Sequence, residues 1–165
     1  MALAAPDYFA GANDPKRGAQ VLFGCAGWIR RRCNEIIAEP TLDVFKIYDL
    51  ASNCFNYRQE ADKWRDGGGD IQSVRDSLVQ WTREASVGNA TKTAAEINAD
   101  YKALYVAAGT FLTWATANLP AQDQTVPNNP IVTINRTWPS PDMTVRVAKS
   151  AAVTNQVTTL RAVFV

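Results

Sequence analysis

No histidine occurs among the 165 residues. Without an imidazole there is no Ser-His-Asp or Cys-His nucleophile system, no His-containing zinc site, and no proton shuttle that titrates near neutrality untuned. General acid–base work would fall on tuned carboxylates or lysines. Carboxylate pairs do stand at helical spacing, Asp43 with Asp49 and Glu35 with Glu39. Most such positions lie on polar helix faces, where solvated charge is the ordinary outcome. A di-iron bundle needs Glu-x-x-His pairs, which this composition rules out. Three cysteines, Cys25, Cys33 and Cys54, lack Cys-x-x-Cys spacing, so zinc and thioredoxin-like chemistry are not expected. Cys25 and Cys33 would lie about 12 Å apart along one helix, too far to bridge each other. They read as reduced core thiols, with an interchain bridge as the other reading. Gly67-Gly68-Gly69 precedes a helical pattern but lacks the Gly-Lys-Ser/Thr and the preceding strand of a phosphate loop, so it reads as an exposed turn. No catalytic, cofactor-binding or metal-binding residue is assigned, and the chain reads as a protein that is not an enzyme.

The sharpest charge feature is Arg30-Arg31-Arg32. Successive helical residues point about 100° apart, so the three arginines spread over one side instead of forming a stripe. Arginine outnumbers lysine 11 to 6, and its planar fork suits bidentate pairing with carboxylates at protein interfaces. Three readings stay open: interface contact, a plain solvated face, and a nucleic-acid patch of Arg30, Arg31, Arg32 and Lys46. The balance of 17 basic and 16 acidic residues, net +1, lends the last no long-range field.

These side chains need elements to hold them. Asp14 as N-cap and Pro15 at the first helical position open helix 1, with Val21, Leu22, Cys25, Trp28, Ile29, Cys33 and Ile36 at three- and four-residue intervals before Pro40. A second helix runs from Pro40-Thr41 to about Arg65 along Val44, Ile47, Tyr48, Ala51, Cys54, Phe55 and Trp64. Asp70 caps a third, from Ile71 to about Ser86. Thr93 and Glu96 form a capping box for the longest helix, which continues through Ile97, Tyr101, Leu104, Ala108, Phe111 and Ala115 to Leu119. Short connections favour antiparallel neighbours, so residues 14–119 read as an antiparallel four-helix bundle. The tryptophans Trp28, Trp64, Trp81, Trp114 and Trp138 read mostly as core.

Beyond Pro120 the chain changes character. Ile131 to Trp138 and Met143 to Ala148 alternate as two strands of a β-hairpin about Pro139-Ser140-Pro141-Asp142. Ser150 caps a short terminal helix with Val153, Val157, Leu160 and Phe164 on one face. The fold class is thus mainly α: a four-helix bundle with a C-terminal hairpin and terminal helix. The organisation is an N-terminal arm (1–13), the bundle (14–119) and a tail (120–165). A lone hairpin is marginal in water. The tail is therefore expected to dock, on its own bundle or on a neighbour, and the neighbour is the preferred reading. Leu3, Tyr8 and Phe9 pose the same question for the N-terminal arm, which either frays, packs on itself or binds a partner.

The run Phe111-Leu112-Thr113-Trp114-Ala115-Thr116-Ala117-Asn118-Leu119-Pro120, followed by a hairpin carrying Asn135-Arg136-Thr137-Trp138 and a brief closing segment, resembles small virion structural proteins of tailed bacteriophages, of the neck or head–tail connector type. The likeness covers about 55 residues and rests on order and spacing. It implies a non-enzymatic subunit of a ring or collar, made in a host cytoplasm and resident in the virion, whose partners are other copies of itself and other virion proteins. No cofactor and no membrane contact are expected, and no apolar run reaches the ~20 residues of a membrane span. The expected interface residues are Leu3, Tyr8, Phe9, Arg30, Arg31, Arg32, Arg136, Trp138, Arg146 and Phe164.

Overall fold

A computed structural model describes residues 15–64, 93–119 and 146–164. Helix α1 spans Pro15–Ala38, strand β1 Thr41–Asp43, and helix α2 Val44–Trp64. Helix α3 spans Ala94–Asn118, strand β2 Arg146–Ala148, and helix α4 Ala151–Arg161, which runs into a short 3-10 turn over Ala162–Phe164. The protein is mainly helical, with a small antiparallel two-stranded ladder and a short terminal helix.

Local signals account for where the helices begin. Pro15 opens α1, as its fixed φ favours. The Thr93 hydroxyl accepts from the Glu96 amide while the Glu96 carboxylate accepts from the Thr93 amide at 2.7 Å, the reciprocal box that starts α3. Ser150 accepts from the Val153 amide and starts α4. Helix α2 begins later than the sequence suggests. Residues 41–43 are extended, and the Asp43 carboxylate accepts from the Phe45 amide at 3.0 Å, which makes Asp43 the cap.

Helices α1 and α2 run antiparallel: Gly18 lies against Trp64 at one end and Arg32 against Asp49 at the other. Helix α2 packs on α1 and α3, and α4 packs on α1 and α3, so the four described helices close around one interior. Their apolar stripes meet there through Leu22, Ile29, Leu50, Tyr57, Leu104 and Phe111. The fourth wall among the described residues is α4, with Val153, Val157 and Leu160 buried in that shared core. The helix expected over 71–86 lies outside the described residues, as do Asp14, the N-terminal arm and residues 120–145.

Two expectations change. The tail from residue 146 onward is seated on its own chain: α4 fills the groove between α1 and α3, and β2 pairs with β1 in the register Thr41↔Ala148, Leu42↔Val147, Asp43↔Arg146. The first arm of the expected hairpin, 131–138, lies outside the described residues. The tryptophans are also less buried than helical spacing implied. Trp64 and Trp114 are half-buried at the core margin and Trp28 is 44% exposed. Aliphatic side chains and Tyr57, whose hydroxyl donates to the Tyr101 carbonyl at 2.8 Å, fill the interior instead. The large indoles fit the rim, where one edge stays wet.

Candidate interaction surface

The charged residues singled out from sequence converge where α1 ends and α2 begins. Arg32 is the centre: Nη1 donates to Glu35 at 2.8 Å and Nε to Asp49 at 2.7 Å, joining the two helices. Arg31 donates to the other oxygen of Glu35 at 3.0 Å. Lys46 reaches Glu39 and lies 3.5 Å from Glu35. Arg146 of β2 donates to Glu39 at 3.0 Å, which ties the tail into the same lattice. Burial pushes the Glu35 carboxyl up, but the hydrogen bonds of Arg32 and Arg31 and the charge of Lys46 outweigh it and hold it down at about 2. Glu39 is likewise lowered, first by its hydrogen bond from Lys46. Opposite charges thus alternate across the seam, and Arg32 and Lys46 are committed to carboxylates.

Lys149 adds a contact that sequence reasoning missed. Its ammonium donates to the carbonyls of Ile36 at 2.9 Å, Ile37 at 3.2 Å and Glu39 at 2.5 Å. These are orphan acceptors at the end of α1, so a residue of the tail caps a helix more than 100 positions earlier. Arg161, at the other end of α4, hydrogen-bonds Asn34 and lies 6.0 Å from the Phe164 ring centroid.

On the outward side of α1 the picture differs. The Trp28 ring lies under the Arg31 guanidinium at 5.0 Å from its centroid and beside that of Arg32 at 5.2 Å; Arg32 is in turn 5.5 Å from Phe45. Gly24 and Gly27 flank Trp28 on the same exposed arc, and a Cβ at either would meet nothing within 4 Å. Arg30 is also exposed, but it stands two positions after Trp28 and so points to a different side of α1. Arg31 and Trp28 therefore form an outward patch of stacked cation and indole.

Of the expected interface residues, the structure brings Arg30, Arg31 and Arg32 to one end of the bundle with Arg146. Arg32 and Arg146 are held by carboxylates, and Phe164 is half-buried against the core. Leu3, Tyr8, Phe9, Arg136 and Trp138 lie outside the described residues. Trp28 was read as core, yet the sequence carried a sign of its position: it follows Gly24 by four residues and precedes Arg31 by three, an arc with no other bulky apolar residue.

The three cysteines are free thiols; Cys33 and Cys54 are buried and Cys25 half-buried. Burial, with a smaller contribution from Glu60, raises the Cys25 thiol to about 11, and burial raises Cys33 to about 12. As protonated thiols they are poor nucleophiles at neutral pH. Among the described residues no group of three or more Cys, Asp or Glu is placed to hold a metal ion, and no helix is long and apolar enough to cross a membrane. Comparison with protein-family models, curated proteins and solved structures finds no match.

Proposed function

We propose that this chain is a non-enzymatic structural subunit of a multi-subunit assembly, of the kind found at the neck or head–tail connector of tailed-phage virions, and that it acts through contact surfaces. The observation that carries this reading is the outward patch of α1. A 44%-exposed Trp28 stacked under Arg31, beside the open backbone of Gly24 and Gly27, combines two of the residue types that most often anchor protein interfaces with a surface another chain can approach closely. Because the tail from residue 146 is folded onto its own helices, α1 takes the weight that the sequence placed on the tail. The nucleic-acid reading loses ground for a physical reason: of its four cations, Arg32 and Lys46 are neutralised by Glu35, Asp49 and Glu39.

Sedimentation of the native full-length chain over a wide concentration range tests the proposal, together with electron microscopy of the particles formed. Closed or ring-like oligomers that weaken on Trp28→Ala with the melting temperature unchanged agree with it. A monomer at every concentration, with salt-sensitive binding to DNA that is lost on Arg30→Ala and Arg31→Ala, would replace it with the nucleic-acid reading.

A further inference from the structure

The described part of the tail is held to the helices in two ways that part at Ser150. Beyond it, Val153, Val157 and Leu160 are buried in the shared core. Before it, Arg146, Val147 and Ala148 of β2 are all exposed, Val147 at 44%, and Lys149 is only half-buried. Apolar burial therefore fixes α4 and contributes little to residues 146–149. Their hold is a three-residue ladder and charge.

That charge converges on Glu39, the residue that follows the end of α1. Its amide donates to the Glu35 carbonyl at 3.0 Å, and its own carbonyl accepts from Lys149 at 2.5 Å. One carboxylate oxygen accepts from Lys46 of α2 and the other from Arg146 of β2 at 3.0 Å. Two further carboxylates face these cations: Glu35 of α1, 3.5 Å from Lys46, and Asp43 of β1, 3.9 Å from Arg146. Asp43 is also engaged in capping α2 through the Phe45 amide. Among the described residues, Glu39 is the one carboxylate that hydrogen-bonds cations of both α2 and β2.

We propose that residues 146–149 are an electrostatic latch closed by the Glu39 carboxylate, which opens locally when that carboxylate is neutralised or screened while α4 stays seated. Lys46 and Arg146 sit on opposite oxygens of one group, so once it is neutral they face each other as like charges. Lys46 then falls to Glu35, and Arg146 is left with the more distant Asp43. The hydrogen bond from Lys46, ahead of that from Arg146, holds the Glu39 carboxyl below its ordinary 4.5. The latch is therefore closed above that ordinary value and gives way as pH falls through the lowered one. Salt acts in the same direction, because the Arg146 side chain is exposed enough to be screened. An open latch leaves Thr41–Asp43 without its partner strand, the kind of unpaired edge that accepts a strand from elsewhere.

Hydrogen exchange of the full-length chain tests this, read amide by amide as protection factors so that the intrinsic pH dependence of exchange drops out. Glu39→Gln at pH 7 is expected to raise the opening of residues 146–149 roughly fivefold, with the amides of α2 and of residues 153–161 unchanged. Arg146→Gln, which alters neither α1 nor α2, should do the same, and the double variant should open no more than either single one, because both remove one interaction. In the native chain, about 1 M salt should reproduce the rise, and in Glu39→Gln it should add little. Protection at 146–149 that neither substitution changes overturns the latch. So does a loss that spreads equally to 153–161, since the strap and α4 would then open as one.

Discussion

Glycine has opposite meanings at two positions of α1. A Cβ on Gly18 would stand 2.2 Å from the Trp64 indole nitrogen and 2.4 Å from its Cε2, so alanine there must displace a ring that is itself held by Glu60 at 2.9 Å. At Gly24 the same methyl meets nothing, and alanine should relieve the helical penalty of glycine, stabilising by about 0.8–1 kcal/mol. Gly18→Ala is expected to lower the thermal midpoint and Gly24→Ala to raise it. A scan in which both substitutions moved the midpoint the same way would contradict the packing described here. Glu35 supplies a second residue-scale outcome. Its folded value of about 2 lies below the ordinary 4.5, so it stabilises the native state fully above that ordinary value and ceases to do so as pH falls toward 2. Urea unfolding at pH 7 and pH 3 should show Glu35→Gln costing on the order of 1 kcal/mol at the higher pH and less at the lower, after allowance for solvent screening.

Among the elements, α4 has few residues but a large share in closing the bundle. Val153, Val157 and Leu160 seal the groove between α1 and α3, and truncating a fully buried side chain there, as in Leu160→Ala, should cost about 2–5 kcal/mol. Lys149→Ala should cost less in global stability but leave three carbonyls at the end of α1 without their ammonium. Hydrogen exchange would then report faster opening at the amides of residues 146–153 while α2 stays protected. These contrasts also mark what could be read from the chain. Helix starts at Thr93 and Ser150 were legible because each cap bonds within three residues, and the start at Pro15 because its fixed φ suits the first helical position. Spacing likewise identified most of the buried faces of α1, α3 and α4; along α2 it found Ile47, Tyr48, Ala51 and Cys54 but placed the exposed Phe55 on the stripe and missed the buried Leu50 and Tyr57. The ladder of Thr41–Asp43 with Arg146–Ala148, the Lys149 cap and the Arg146–Glu39 pair were not legible, since each joins positions about 100 residues apart that no periodicity relates. The outward turn of Trp28 fell between the two: its glycine neighbours pointed to it, and its apolar character masked them.

At the scale of the molecule, the change of composition at Pro120 is not a boundary between cores. Side chains from both sides of it, Leu22 and Phe111 before and Val157 and Leu160 after, belong to one buried cluster. The charge lattice crosses the same divide through Arg146 and Glu39, and the backbone crosses it through the β1–β2 ladder. A segment that shares its apolar contacts, its ion pairs and its strand partner with the bundle cannot leave without exposing α1 and α3. The expected outcome is therefore one cooperative unfolding transition for the full-length chain, as in a single small domain. The signals to compare are helical ellipticity, near-ultraviolet signal from the tryptophans, and fluorescence from a dye placed on the exposed Asn155 of α4. All three should move together in urea, and the calorimetric and van't Hoff enthalpies should agree. A dye signal that melts well before the helical signal would mean that α4 is an appendage resting on a self-sufficient bundle. In that case the tail would be free to serve a neighbour after all, and the contacts of the proposed assembly would have to be sought there as well as on α1.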